Sequence, residues 1–231
     1  MKLENQREFM KKKNNRGKFF IIIGLIFIIA GISFIGYQKY RLAQRNKAAK
    51  DLEVRMQAKA SENKKSDVLD FNKDESNEEP TDTEIVDEGD TDLLDKEDAL
   101  AVIRIDKLDM LLPIYPSTRE KYLRDGVGII ETTDKPVSDH GTTCALAGHR
   151  GGYNEEDSFL HIDKLEEGDE IKITSAEEVL TYKVYEKEII KPDDWSKFNR
   201  EEDKTKLVLM TCHPYPYDYE RLLVKAYLVD K

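Results

Sequence analysis

Three side chains able to do chemistry stand where an apolar run gives way to a turn. Cys212 follows "KLVLMT" and precedes "HPYPYDYE"; Arg221 opens "RLLVKAYLV" nine positions later; His149 follows "CALAG" and precedes Arg150 and two glycines. A thiolate is a nucleophile, an imidazole can carry a proton to a leaving amine, and a guanidinium offers a rigid fork of donors to an oxyanion. That set is suited to acyl transfer at a peptide bond. Each residue also has a plain structural reading, since free cysteine is a small core hydrophobe and loop histidines and arginines are commonly just solvated. Cys144, in "TTCALAG", fits the plain reading, because strand alternation places it in a core. His140 reads as a loop residue and His161 as a half-buried helix residue. His213, beside the thiol, either tunes it or packs in the turn.

The elements that must position these groups are short strands. "AVIRI", "LLPIY", "GVGII", "TTCALA", "DEIKIT", "LTYKVYEKEII", "KLVLMT" and "RLLVKAYLV" are eight apolar or alternating runs between turn signals, which predicts an all-β barrel or sandwich. In a barrel, strand ends can gather on one rim. Two helical pieces interrupt the strands. "STREKYLRDG" has Ser117 and Glu120 at capping-box spacing and stops at Gly126, and "EEDSFLHIDKLEEGD" puts Phe159, Leu160, Ile162 and Leu165 on roughly one helical face.

These strands fill only the region from 99 to 231. Ahead of it, residues 1–18 are a basic arm, and Phe19 to Tyr37, "FFIIIGLIFIIAGISFIGY", carry no charge over a length that crosses a bilayer's hydrocarbon core. The run is long for a cleavable signal, and "SFIGYQKY" offers no convincing small-x-small site, so it predicts an uncleaved signal anchor. Lysines and arginines flank both sides. The short basic arm and the long exportable remainder favour a cytoplasmic N-terminus and an extracellular domain. Residues 38–98 read as a stalk, helix-forming at first and then, from 67, carrying 15 acidic residues against two lysines. Such a segment cannot build a core and is expected to be a disordered spacer. The net charge of −10 is largely this stalk's, and no basic face suggests nucleic acid.

The quoted motifs identify a family. "TCHPYPYDYERLLV" resembles the sortase signature, a strand ending in Thr-Cys with an arginine at the start of the next strand, and "ALAGHRG" resembles the sortase histidine motif. The resemblance runs from "AVIRIDKLDMLLPIYP" to the C-terminus. It implies an eight-stranded sortase-type β-barrel acting as a cysteine transpeptidase on the Gram-positive cell surface. It further implies Cys212 as nucleophile, His149 as general acid/base, Arg221 as the oxyanion-stabilising residue, and Thr211 and Ala147 in the substrate groove. Substrates would be surface proteins with a Leu-Pro-x-Thr-Gly-type motif cut between Thr and Gly, and the acceptor an amine of lipid II or another amine. The N-terminal anchor looks like class A, whereas "GHRGG", "TCHPY" and the nine-residue step to Arg221 look like class C or E.

Other readings are weaker. No pair of histidines and cysteines has zinc-ligand spacing. No cofactor is expected, although calcium is conceivable at Glu131, Asp134, Asp139, Asp193 and Asp194, as in some class A relatives. A pilin-polymerising sortase and a non-catalytic anchored binding module are the functional alternatives.

Overall fold

The computed structural model describes residues 2–66, 98–151 and 159–230. Residues 67–97 of the acidic spacer expected over 67–98 therefore lie outside the described residues. The chain forms two compact units, residues 1–47 and 48–231. In the first, the long helix α1 (Lys2–Ser66) begins and carries the apolar run, whose large side chains are exposed. This helix is long and apolar enough to cross a membrane.

In the second unit all eight expected runs are strands: β1 (Ala101–Ile105), β2 (Met110–Tyr115), β3 (Val127–Ile129), β4 (Thr143–Ala147), β5 (Glu170–Ser175), β6 (Val179–Ile190), β7 (Lys206–His213) and β8 (Glu220–Asp230). They close into a barrel in the order β1-β2-β3-β4-β7-β8-β6-β5, with β2/β3 and β4/β7 parallel and the other pairs antiparallel. Period-two alternation sends Ile103, Leu146, Ile173, Leu207, Leu209 and Val224 inward, where each is fully buried.

Outward-facing residues are not all solvated. Val102 on β1 is buried beneath Leu52 and Met56 of the helical stretch after Ala48. Next to it the Arg104 guanidinium makes a two-pronged ion pair with Glu53, whose side chain is only 6% exposed. Residues 48–66, read from sequence as the start of a stalk, thus pack on the barrel wall. A second outward patch, on β4, β7, β8 and β6, holds Ala145, Ala147, Val208, Leu223 and Ile190 under Phe198.

The helical pieces differ from expectation in detail. The helix α2 (Glu120–Leu123) has Arg119 at its N-cap with no side-chain cap, so the Ser117–Glu120 capping box does not form. Thr118 is instead held by Glu131, through both its amide and its hydroxyl, and the Ser117 carbonyl packs so closely on Gly128 that no Cβ would fit there. The second piece is a 3₁₀ helix, Phe159–Lys164. Phe159, Ile162 and Leu165 are fully buried at a spacing of three, which matches three residues per turn and leaves Leu160 half-buried. His161 points outward and is exposed rather than half-buried.

Candidate active site

Topology brings the three reactive residues together. Because β4 runs parallel to β7, both strands leave the barrel at the same rim, and antiparallel β8 begins there. Cys212 and Arg221 are direct partners across the β7/β8 ladder. Alternation along β7 places Cys212 on the outward side with Met210 and Val208, and Arg221 shares that side with Leu223. The β4/β7 register pairs Ala147 with Met210, and the Gly148 amide continues the ladder to the Met210 carbonyl at 3.1 Å. Two residues beyond Ala147, His149 lies abreast of Cys212.

The backbone carrying His149 is fixed from two sides. Its carbonyl accepts from the Phe159 amide at 2.9 Å, and the buried Thr211 hydroxyl donates to the Gly148 carbonyl at 2.8 Å. Glycine at 148 is required by space: a Cβ would sit 2.8 Å from the Phe159 ring and 3.1 Å from Val127. Gly151 turns with φ +87° beneath the Tyr215 ring, a left-handed conformation that favours glycine. The "GHRGG" string thus combines a close approach, a half-exposed imidazole, a cation and a turn.

His149 and Arg221 each have an orienting partner. His149 Nε2 lies 3.3 Å from a carboxylate oxygen of Glu120 at the start of α2, an exposed pair and correspondingly weak. Arg221 Nη1 donates to the carbonyls of Asp218 and Glu220 at 2.8 and 2.9 Å, bracing the turn before β8. Cys212 is half-buried and unbridged, while Cys144 is buried in the barrel interior, where desolvation pushes its thiol well above the ordinary range. Of the two groove residues inferred from sequence, Ala147 shares the outward face with Cys212, whereas Thr211 points to the inner side and joins the strand ends.

Sequence reasoning passed over Glu120 and Arg150. Arg150 is a buried cation, its side chain 7% exposed, bonded to the Cys212 carbonyl, the His213 ring and Asp163. The only local signal was its place between histidine and two glycines. Its ion-pair partner Asp163 comes from the 3₁₀ helix, thirteen residues downstream.

Three of the five acidic residues considered for calcium bind other protein groups. Asp134 is tied to Arg200 and the Thr143 amide; burial would raise its carboxyl, but these two partners outweigh it and hold it low. Glu131 binds Thr118, and Asp194 caps Ser196. Among the described residues no three acidic, histidine or cysteine side chains converge as a metal site.

Comparison with known proteins agrees with this geometry. Residues 103–229 match the family model described as the Sortase domain. The chain belongs to the sortase family. It is 27% identical over 202 residues to Sortase D of Bacillus subtilis (strain 168), an alignment covering 85% of this chain and 90% of that one. Sortase C1 from Streptococcus agalactiae superposes with a TM-score of 0.57 at 33% identity, over 60% of this chain and 72% of that one. A Clostridium perfringens sortase C, solved with the C-terminal cell wall sorting motif, gives 0.55 at 36% identity, over 58% and 72%. This sortase is therefore a cysteine transpeptidase with the family's eight-stranded barrel, and sortases act on sorting-motif substrates at the cell surface.

Proposed function

We propose that this sortase cleaves a Leu-Pro-x-Thr-Gly-like motif between Thr and Gly and passes the acyl group to an amine of a cell-wall precursor. The observation that carries the reading is Cys212 facing Arg221 across β7/β8, with His149 at the end of the parallel neighbour β4. The Cys212 thiolate attacks the threonine carbonyl, and the tetrahedral oxyanion faces the Arg221 fork. Both bonds from Arg221 to its own turn use Nη1, which leaves Nε and Nη2 as the donors to offer. Protonated His149 gives its proton to the departing glycine amine, and a thioester remains. The acceptor amine attacks the thioester, His149 takes the amine proton, and the thiolate leaves as a new amide forms.

An apolar surface beside the thiol supports the substrate class. On the outward face of β7 the half-buried Met210 follows Cys212, with Ala147 beside it on β4, while Val208 and Leu223 further along are fully buried under Phe198. The clostridial sortase C solved with a sorting motif shows that a relative takes this kind of ligand.

In this reading α1 anchors the enzyme with its N-terminus in the cytoplasm and its barrel outside, and no cofactor takes part. The likeness to class C sortases favours a second reading, in which the acceptor is a pilin lysine. The test is cleavage of a fluorogenic Leu-Pro-x-Thr-Gly peptide by the full chain and by Cys212→Ala, followed by an acceptor panel: oligoglycine, an alanyl peptide, a diaminopimelate-type peptide and a pilin lysine segment. Cleavage is expected to vanish in Cys212→Ala. Activity surviving there overturns the site, and a clear preference for the pilin lysine overturns the choice of acceptor.

A further inference from the structure

Two imidazoles flank the thiol in sequence and register, His149 on the β4 side and His213 next along β7. Arg150 distinguishes them. One nitrogen of its guanidinium, Nη1, lies 2.8 Å from His213 Nδ1 and 3.3 Å from the Cys212 carbonyl, and Nη2 pairs with Asp163 at 3.2 Å. Arginine carries five N–H donors and no acceptor, and it stays charged throughout the working pH range. Nδ1 of His213 must therefore accept, which puts that ring's proton on Nε2. A second proton on Nδ1 would set N–H against N–H beside a permanent cation.

From this we infer that Arg150 is a positioning residue of the active site: it locks the His213 ring with Nδ1 as acceptor, the Nε2–H tautomer, and clips the Cys212 backbone to the 3₁₀ helix. The inference rests on Cys212 being the nucleophile and assigns the neighbouring groups to separate tasks. His149, facing the exposed carboxylate of Glu120, is the imidazole left able to gain and lose a proton at the thiol. His213 is held as an acceptor to Arg150.

The charged and titratable groups around His213 are consistent with that division. Arg150 reaches it from the loop after β4, with Asp163 of the 3₁₀ helix on the guanidinium's far side. Glu220 is its cross-strand partner on β8, and Cys212 and Arg221 form the adjacent pair. The 2.8 Å contact with the Arg150 guanidinium occupies Nδ1 of His213. The buried guanidinium also serves three partners at once, which a lysine ammonium of different geometry cannot reproduce.

The test is histidine NMR on the full chain in detergent micelles, paired with kcat/KM for peptide cleavage. In the unaltered protein the His213 ring is expected to show the Nε2–H tautomer, because Nδ1 accepts from Arg150. In Arg150→Met that tautomer signature should be lost, and kcat/KM should fall about 10–100-fold, the scale of an active-site misplacement, with Arg150→Lys rescuing only in part. An Nδ1–H tautomer of His213 in the unaltered protein overturns the inference, as does an Arg150→Met rate within twofold of the parent. The NMR arm holds even if Arg150→Met fails to fold, and it does not depend on Cys212 being the nucleophile, which Cys212→Ala tests separately.

Discussion

Gly148→Ala isolates the packing that sets His149. Gly148 does not have a positive φ, so the backbone accepts alanine, and the entropy removed from the unfolded chain would by itself stabilise by about 0.4–1 kcal/mol. Space opposes it. The added Cβ would lie 2.8 Å from Phe159 Cδ2, 2.9 Å from Cγ and 3.1 Å from Val127 Cγ1, and reaching an ordinary 3.4 Å contact requires 3.4 − 2.8 = 0.6 Å of movement. Phe159 is fully buried and has nowhere to retreat, so overpacking of about 1–3 kcal/mol outweighs the entropy term and leaves a net loss of about 1–2 kcal/mol. The strand end bearing His149 is the softer side, since it leaves the ladder there. A shift of this size at a reacting group lowers kcat/KM by about 10–100-fold. Urea midpoints and peptide-cleavage kinetics measure the two effects, and Phe159→Leu in the same chain should recover much of the activity. Gly148→Ala that is as stable as the parent and within twofold of its activity would refute the reasoning; so would failure of Phe159→Leu to suppress it.

Iodoacetamide should modify the native chain once, at Cys212, because the Cys144 thiol is buried and its ionisation suppressed; a second native-state adduct on Cys144 would contradict this. Asp134 has its carboxyl held low in the fold, so it contributes stability above the unfolded-state value of about 4 and loses it as pH falls through the folded value. The denaturation midpoints of the parent and Asp134→Asn should accordingly differ at neutral pH and converge in acid, and a constant gap would refute the assignment. Removing residues 1–66 should lower the unfolding free energy by about 1–3 kcal/mol or more, between the exposed and buried limits for an ion pair, because Arg104 loses Glu53 and Val102 loses Leu52 and Met56. Excising residues 67–97 alone should leave peptide cleavage essentially unchanged, and a tenfold change in rate would make that segment part of the enzyme.

The strands were legible because period-two alternation and turn residues are local properties, and each of the eight runs met a matching strand. The reactive trio was legible as chemistry at strand ends, and the motif strings carried the family. Local reasoning failed where distant packing overrode it. The Ser117–Glu120 spacing makes no cap because Thr118 is held by Glu131 from the turn after β3, and the Phe159 segment winds as a 3₁₀ helix because the core takes every third residue. Residues 48–66 had helix-forming composition, but only the β1 face decided that they pack on the barrel, through Val102 and Arg104. Likewise, sequence alone placed Cys212, His149 and Arg221 at ends of strands, and it took the parallel β4/β7 pairing, a contact across more than sixty positions, to put those ends on one rim. Arg150 sits in the motif beside His149, yet its meeting with His213 and Asp163 exists only once three separate elements close around it.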